Sequence, residues 1–252
     1  MKIENTKKQL IVDLESWKTA FIEVDKKKNW EEGRSACTLA KYFTTPNIEE
    51  SYGIKKIKEY FEALGFSNPR FESAEIEHRS PFDKYKGGTR MQDLVIWGES
   101  EKGRILACIE AKVDEEFNEL LNEAYDTAKQ KFEKDSNSNA QKRIEELCKK
   151  YLNVNAESIK SGDENNIRYQ LLYYLAGSIC EAKEYGNVVF MPIMVFKTDE
   201  YNETKGEMNR KDYEQFIEAL KFEMCNKEKG IFKRTFEGID VYISYIEIDF
   251  EN

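Results

Sequence analysis

The sequence predicts an α/β fold with a mixed central sheet flanked by helices. Residues 91–97 and 105–113 are two apolar segments joined by a short polar turn, which is typical of an antiparallel hairpin. Residues 188–196 form a nearly continuous apolar run, as in a strand that is covered on both faces. Segments with helical periodicity separate this run from the hairpin, so the later strand is expected to arrive by a helical crossover.

The elements before the hairpin are predicted from spacing and end signals. Leu10, Leu14, Trp17 and Phe21 recur at helical spacing and predict a helix over residues 7–24. Three further signals follow along the chain: Ser35 as the cap of a helix that reaches Phe43, Asn47 as the cap of a second helix, and Gly65 as the glycine that ends that second helix. A strand over residues 70–79 and a polar turn over residues 80–89 complete this part of the chain.

After the hairpin, helices are predicted over residues 116–133, 140–152 and 166–185, with Gly186 ending the last of them. A final helix near residues 210–224 precedes strands around Ile231 and over residues 239–250. We therefore divide the chain into an N-terminal helical extension (1–46), a core (47–196) and a C-terminal segment (197–252) that packs on the same domain.

Composition excludes several classes of function. The 252 residues suit one sizeable domain, and no apolar run approaches the roughly 20 residues that span a bilayer, so no membrane partner is expected. The five cysteines are odd in number and form no C-x-x-C pair, which favours reduced thiols in a cytoplasm over disulfides or a zinc site. The only histidine is His78, which excludes serine-hydrolase triads and histidine-based metal sites. The net charge of -9 argues against a protein that coats nucleic acid. It does not exclude DNA binding through a local basic patch.

A carboxylate and an ammonium lie at the end of an apolar strand. In residues 105–112, Glu110 and Lys112 share one face with Leu106 and Cys108, because side chains alternate along a strand. The hairpin brings Asp93 of the preceding strand near Glu110, and a hard divalent cation relieves the repulsion between two such carboxylates. Asp93, Glu110 and a backbone carbonyl, that of Ala111, can hold Mg²⁺. A cross-strand ion pair without any function is the alternative, and the spacing alone does not decide between them.

M-Q-D-L-V-I-W (91–97) followed by C-I-E-A-K (108–112) resembles the PD-(D/E)XK nuclease superfamily, which includes many restriction endonucleases. The resemblance implies a restriction-endonuclease-like αβββαβ core over residues 47–196. It assigns the motif acids to Asp93 and Glu110 and the motif lysine to Lys112, with Mg²⁺, or Mn²⁺ in its place, as cofactor. Gln92 stands where the name of the superfamily has proline.

A closer likeness covers more of the chain. W-E-E-G-R-S-A (30–36), E-A-K-V-D-E-E-F (110–117) and I-R-Y-Q-L-L-Y-Y (167–174) resemble an uncharacterised bacterial domain family of PD-(D/E)XK type. Gln170 and Tyr174 also resemble the Gln-x-x-x-Tyr element of RecB-like nucleases, one helical turn apart. This resemblance implies a catalytic role for Gln170 and substrate contacts for Arg168 and Tyr174. The alternative is a helix that packs its tyrosines, including Tyr169 and Tyr173, against the sheet.

Together these observations predict a metal-dependent DNA endonuclease that hydrolyses phosphodiester bonds. A homodimer would be natural for cutting both strands of DNA. Superfamily members often add an acid from the first core helix, for which Glu50 is our candidate, with Glu49 and Glu32 as others. Asp114 and Glu115 directly follow the site. The competing hypothesis is a catalytically inactive module of the same fold that binds nucleic acid or a protein partner.

Overall fold

A computed structural model describes residues 1–24, 30–85 and 89–250. Nine strands make up its sheet: β1 (Lys2–Glu4), β2 (Leu10–Ile11), β3 (Arg70–Pro81), β4 (Thr89–Ser100), β5 (Gly103–Lys112), β6 (Val188–Lys197), β7 (Glu223–Asn226), β8 (Ile231–Phe236) and β9 (Ile239–Asp249). Their order across the sheet is β2-β1-β3-β4-β5-β6-β9-β8-β7. The predicted hairpin β4–β5 is antiparallel, whereas β6 runs parallel to β5 and β9 parallel to β6. The prediction of an α/β fold with a mixed sheet is thus confirmed.

Helices cover both faces of this sheet. One face packs against α1 (Leu14–Val24), α2 (Ser35–Thr44) and α3 (Tyr52–Ala63), where Phe43 and Ile57 join Leu94 and Ile109 in one core. The other face packs against α4 (Leu121–Lys134), α5 (Ala140–Leu147), α6 (Tyr169–Tyr185) and α7 (Glu203–Ala219). A π-helical turn, Cys148–Leu152, continues α5. The two cores share the sheet, so side chains on opposite faces of β5 belong to different layers.

Two predicted helix caps are wrong, by one residue for α2 and by four residues for α3. Ser35 is the first residue of α2, and Arg34 precedes it without a side-chain cap. Asn47 accepts a hydrogen bond from Glu50 N–H in a turn, but α3 begins later, where the Ser51 hydroxyl accepts from Ile54 N–H. Asn47 and Ser51 can both accept hydrogen bonds from backbone amides. The cap of α3 is Ser51, because it directly precedes the residues with apolar helical spacing. Gly65 ends α3 with a φ of 79°, as predicted.

The ends of the chain contain strands that periodicity does not predict. The segment 7–24, expected to be one helix, contains β2 and then α1, and β1 pairs with β3 in parallel. The last helix begins at Glu203 rather than near residue 210, and β7 follows it. Of the predicted turn over residues 80–89, positions 86–88 lie outside the described residues.

Tyr174 completes the backbone pairing of β6. Pro192 lies in the middle of this buried strand and has no N–H to donate to β5, and the β5–β6 ladder is interrupted beside it. In the parallel register that flanks the gap, the missing bond would end on the carbonyl of Cys108. The Tyr174 hydroxyl donates to that carbonyl at 2.6 Å and lies 3.3 Å from the carbonyl of Pro192. A side chain of α6 thereby supplies the hydrogen bond that proline removes.

The hairpin β4–β5 separates at one end. Its ladder runs from Ser100 opposite Gly103 to Leu94 opposite Ile109. Beyond that pair, β4 remains paired with β3 only and β5 with β6 only. The separation opens a cleft between two strands that are each still paired with one neighbour, and Asp93, Glu110 and Lys112 lie at this cleft.

Candidate functional site

A cavity of about 550 Å³ occupies the cleft where β4 and β5 separate. Its lining comes from both helical layers and from the sheet, and it is rich in charge. The acidic side chains in the lining are Glu31, Glu77, Asp93, Glu110 and Glu115, and the basic ones are Arg34, Arg90 and Lys112. Gln170 of α6 and Trp17 of α1 border it from opposite layers. The cavity therefore gathers ionisable groups at a place that is otherwise surrounded by apolar core.

Asp93 and Glu110 both line the cavity and lie just beyond the last pair of the hairpin. Leu94 and Ile109 are the last paired residues of the hairpin, so Asp93 and Glu110 follow next in the same register. Asp93 Oδ2 accepts a hydrogen bond of 2.7 Å from the N–H of Ala111, so a side chain takes the place of the interrupted ladder. The sequence analysis expects the hairpin to bring these two acids together, and in the structure both border the same cavity.

Glu110 is buried and is held by three donors. Arg90 pairs with its Oε2 atom, and the Nζ atom of Lys112 lies 3.2 Å from its Oε1 atom. Gln170 donates from Nε2 to the same Oε1 at 2.6 Å, and its own Oε1 lies 3.5 Å from Lys112 Nζ. Both carboxylate oxygens thus have charged or amide partners, as a buried carboxylate requires.

The electrostatics of the cleft shift two pKa values in opposite directions. Burial raises the pKa of the Asp93 carboxyl, and the charge of Arg90 and the Ala111 N–H only partly oppose this. Burial lowers the pKa of the Lys112 ammonium, and the charge of Asp93 works against that change. Both shifts favour the neutral forms of these two side chains. A further cation in the cleft would favour the ionised form of Asp93.

Glu115 joins the site to the helical layer above it. Its carboxylate accepts from the N–H of Val113 at 2.6 Å and from the N–H of Ser35, the first residue of α2, at 3.3 Å. Burial raises the pKa of this carboxyl, but the backbone hydrogen bonds and Arg34 outweigh that effect and lower it. Arg34 also pairs with Asp114 at 2.7 Å. These contacts fix α2 over the end of β5, which gives both acids a structural role.

Gln170 lies in the site as predicted, whereas Tyr174 and Arg168 do not. Tyr174 is fully buried, and its hydroxyl is used by the sheet, so it does not reach the cavity. Arg168 precedes α6, where its guanidinium donates to Asp212 at 2.8 Å and to the carbonyl of Asn118 at 2.5 Å. It lines a separate cavity bordered by Asp212 and Gln215. The structure therefore corrects the prediction of substrate contacts for Tyr174 and Arg168. Gln170 lies at the cleft, whereas Tyr174, one helical turn further along α6, lies beneath the strands.

The candidate acids from the N-terminal part lie outside the cavity lining. Glu50 is exposed in the turn before α3, so the role of an additional acid is not supported for it. Glu49 lies 3.8 Å from the N-terminal amine, and Glu32 pairs with Lys41 of α2. Glu31, next to Glu32, does line the cavity.

Sequence reasoning missed Arg90 and Glu77. Strict alternation would turn Arg90 and Gln92 to the face of Leu94, which packs in the α1–α3 core. Instead, Gln92 Nε2 lies 3.4 Å from the Ser178 hydroxyl of α6, so the alternation shifts between residues 92 and 94. Beside this shift, on β3, Glu77 has a φ of 51° in the register position opposite Asp93. The residue type at position 77 does not predict this left-handed backbone conformation.

Comparison with known families places the chain. A family model described as a domain of unknown function, DUF6946, matches residues 11–250. The chain belongs to the DUF6946 family. Comparisons of this DUF6946 chain with curated proteins and with solved structures find no match. Within the residues that the structure describes, no helix is both long enough and apolar enough to cross a bilayer.

The donors of the DUF6946 cleft define the ligands it can take. Asp93, Glu110 and nearby backbone carbonyls are oxygen donors, the type that hard divalent cations prefer. Over the described ranges 1–24, 30–85 and 89–250, no three side chains of His, Cys, Asp or Glu are grouped so that they could hold a metal ion. Arg34, Arg90 and Lys112 add positive charge for an anionic ligand.

Proposed function

We propose that this protein is a Mg²⁺-dependent endonuclease that hydrolyses phosphodiester bonds in DNA. One observation carries the proposal: Asp93 and Glu110 line one cavity where β4 and β5 separate, and Lys112 and Gln170 contact Glu110. An acid pair and a lysine in one buried cleft combine a cation site with a group that can act on a phosphate. The proposal further takes the cytoplasm as the place of action, since all five cysteines are free thiols.

The order of elements supports membership of the PD-(D/E)XK superfamily, which the motif resembles. From α3 onward the chain has a helix, three antiparallel strands, a helical segment and a strand parallel to β5. This is the αβββαβ order that the resemblance implies. The motif residues also lie on the second and third of these strands, as that resemblance requires.

The metal would be held by Asp93, Glu110 and the backbone carbonyl of Ala111, with Mn²⁺ able to replace Mg²⁺. When bound, such a cation polarises a phosphodiester and makes a coordinated water more acidic. Its charge would also compensate the burial that raises the pKa of Asp93. The donor set therefore fits the cation, provided that Glu110 exchanges one of its present partners for it.

Lys112 and Gln170 contribute through the positions of their polar atoms. The Lys112 ammonium lies beside Glu110 and 5.2 Å from the centre of the Phe117 ring, so it is held at the cleft. There it can orient a water molecule or stabilise negative charge that develops on a phosphate. Gln170 contacts both Glu110 and Lys112, so in the proposed catalytic site it fixes the relative placement of these two residues.

A second candidate function is a non-catalytic module that binds nucleic acid or a protein partner. One observation favours it: Glu110 is already neutralised by Arg90 and Lys112, so the cleft is electrostatically complete without a metal. Under this alternative the cluster stabilises the fold and Mn²⁺ binds weakly or not at all.

Cleavage assays with purified variants distinguish the two functions. Incubation with duplex and single-stranded DNA in Mg²⁺ or Mn²⁺ should give cleavage that Asp93→Asn and Glu110→Gln abolish. Glu50→Gln is the matched control, since it makes the same acid-to-amide change outside the cavity and should leave cleavage unchanged. Full metal-dependent cleavage by folded Asp93→Asn and Glu110→Gln would refute the nuclease proposal. Absence of cleavage together with absence of Mn²⁺ binding in calorimetry would favour the module.

A further inference from the structure

Arg90 pairs with one of the two carboxylate oxygens of Glu110, a group that would hold a cation at this site. Its guanidinium pairs with Glu110 Oε2, and the Arg90 side chain is 8% exposed. The guanidinium carbon lies 5.1 Å from the ring centre of Tyr173 and 5.7 Å from that of Tyr174, so two aromatic faces support it. Its Nε atom has no hydrogen-bond partner among the residues that the structure describes. The guanidinium is thus held by the charge of Glu110 and by two aromatic rings, and its Nε–H donor is unused among those residues.

The contacts of Glu110 make metal binding and the Arg90 pair compete. Lys112 and Gln170 already share Oε1, and Arg90 holds Oε2. A divalent cation on Oε2 would lie against a guanidinium that cannot lose its charge at any ordinary pH. The repulsion between the two cations in a buried cleft means that Arg90 must leave Glu110 when the metal enters.

We propose that Arg90 is the phosphate-binding residue of this site and that metal binding releases it for that role. The inference rests on the proposed nuclease function. Arg90 lines the same cavity as Asp93, so a phosphodiester drawn to a cation there arrives within the space that Arg90 borders. A released guanidinium needs a new anion, and its planar set of donors suits two phosphate oxygens at once.

This exchange predicts reciprocal coupling between the cation and the phosphate. Without a metal, Glu110 retains Arg90 and the phosphate has no free guanidinium. With a metal, Glu110 is compensated and Arg90 is available to the substrate. Because coupling between two ligands is reciprocal, the substrate should also tighten metal binding.

Calorimetric titration with Mn²⁺ alone tests the first half of the proposal. Arg90→Gln should bind Mn²⁺ at least about tenfold more tightly than the unchanged protein, since the competing charge is gone. Arg90→Lys, which keeps a charge but not the planar fork, should fall between them. Arg104→Gln is the matched control and should bind Mn²⁺ like the unchanged protein. Arg104 also lies over a tyrosine, 5.1 Å from the ring centre of Tyr185, but its guanidinium donates to the Tyr185 carbonyl.

Fluorescence anisotropy with a labelled single-stranded oligonucleotide tests the second half. Ca²⁺ replaces Mg²⁺ as an oxygen-seeking cation, and a sample in chelator serves as the metal-free state. The unchanged protein and Arg104→Gln should gain at least about tenfold in affinity on adding Ca²⁺. Arg90→Gln should lose most of this gain despite its tighter metal binding.

The outcomes separate the inference from the function on which it rests. Equal or weaker Mn²⁺ binding by folded Arg90→Gln, with metal-dependent cleavage intact in the unchanged protein, would overturn the inference alone. A full Ca²⁺-dependent gain in Arg90→Gln would do the same. If neither the unchanged protein nor Arg90→Gln bound Mn²⁺ or cleaved DNA, the nuclease function would fall and the inference with it. Should Arg90→Gln not fold, Arg90→Lys carries both measurements, with unchanged Mn²⁺ affinity counting against the proposal.

Discussion

The Nε2 atom of His78, on β3, lies 2.9 Å from Oε1 of Glu181, on α6. The other ring nitrogen, Nδ1, lies 2.8 Å from Glu75, which also pairs with Lys8. Burial lowers the pKa of His78, but the hydrogen bonds to Glu181 and Glu75 outweigh it and raise the pKa to about 9. A charged imidazole therefore links the sheet to the helix that carries Gln170.

This link should make stability fall at alkaline pH. The pKa of His78 in the folded protein lies above its ordinary value of 6.5, so the stabilisation is complete below pH 6.5 and is lost as pH rises through about 9. Between pH 6 and 9.5, urea unfolding should show a loss on the order of 2–3 kcal/mol beyond that of His78→Gln. The variant lacks the titrating ring, so other groups cancel in the comparison. Parallel stability profiles for the two proteins would contradict the assignment.

The hydrogen bond from Tyr174 to Cys108 can be tested by replacing its donor. Tyr174→Phe leaves the Cys108 carbonyl without a partner inside the sheet, so the free energy of unfolding should fall by about 1–3 kcal/mol. Pro192→Ala restores a backbone N–H at the interrupted position of β6. Combined with Tyr174→Phe, it should recover part of the loss, which a double-mutant cycle in urea measures. Strictly additive effects would mean that the hydroxyl does not replace the ladder bond. Tyr52→Phe, at a half-exposed tyrosine, is the control.

Gln170 should affect the site more than the fold. Gln170→Leu keeps the size of the side chain but removes its contacts with Glu110 and Lys112. We expect Mn²⁺ affinity or the cleavage rate to fall about 10–100-fold, as for residues that orient metal ligands. Gln215→Leu makes the same change on α7, where the amide lies near backbone carbonyls of a distant loop, and should affect neither. Unaltered Mn²⁺ affinity and cleavage in Gln170→Leu would show that its contacts with Glu110 are incidental.

The packing of α2 against α3 depends on the glycine at position 53, which has no side chain. A Cβ at Gly53 would lie 2.6 Å from ring atoms of Phe43, which is fully buried. Gly53→Ala should therefore lower the melting temperature, because crowding of about 1–3 kcal/mol exceeds the gain of up to about 1 kcal/mol in helix propensity. Adding Phe43→Leu makes room for the methyl group. The double variant should be more stable than the sum of the two single changes, as measured by thermal unfolding; additivity would argue against the predicted clash.

The sequence predicts the elements whose periodicity is long and regular. Glu110 and Lys112 are identifiable because the side chains of residues 105–112 alternate regularly between the two faces of β5. The strands β1 and β2, with three and two residues, are too short to show a period. Helix spacing placed Gln170 and Tyr174 on one side of α6, but spacing does not tell which turn of the helix reaches the cleft and which lies beneath the strands.

The site was predictable to the extent that it follows from regular strands. Arg90 was missed because the position of its side chain depends on a shift of alternation in β4, beside the left-handed backbone of Glu77. Such a conformation is rare for a residue with a side chain, and the surrounding structure imposes it rather than the local sequence. The same shift brings Arg90 and Gln92 to α6, where a Cβ on Gly177 would lie 3.1 Å from Arg90 Cβ.

The separation of β4 from β5 places the two ends of the Arg90–Glu110 pair on different parts of the sheet. Arg90 is held in place through β3, and Glu110 through β6. The distance between their charges therefore depends on the relative position of β3–β4 and β5–β6, and not on either residue alone. A substitution that changes the seating of β3, even far from the cavity, would alter the affinity of the site for charged ligands while every side chain in it stayed the same.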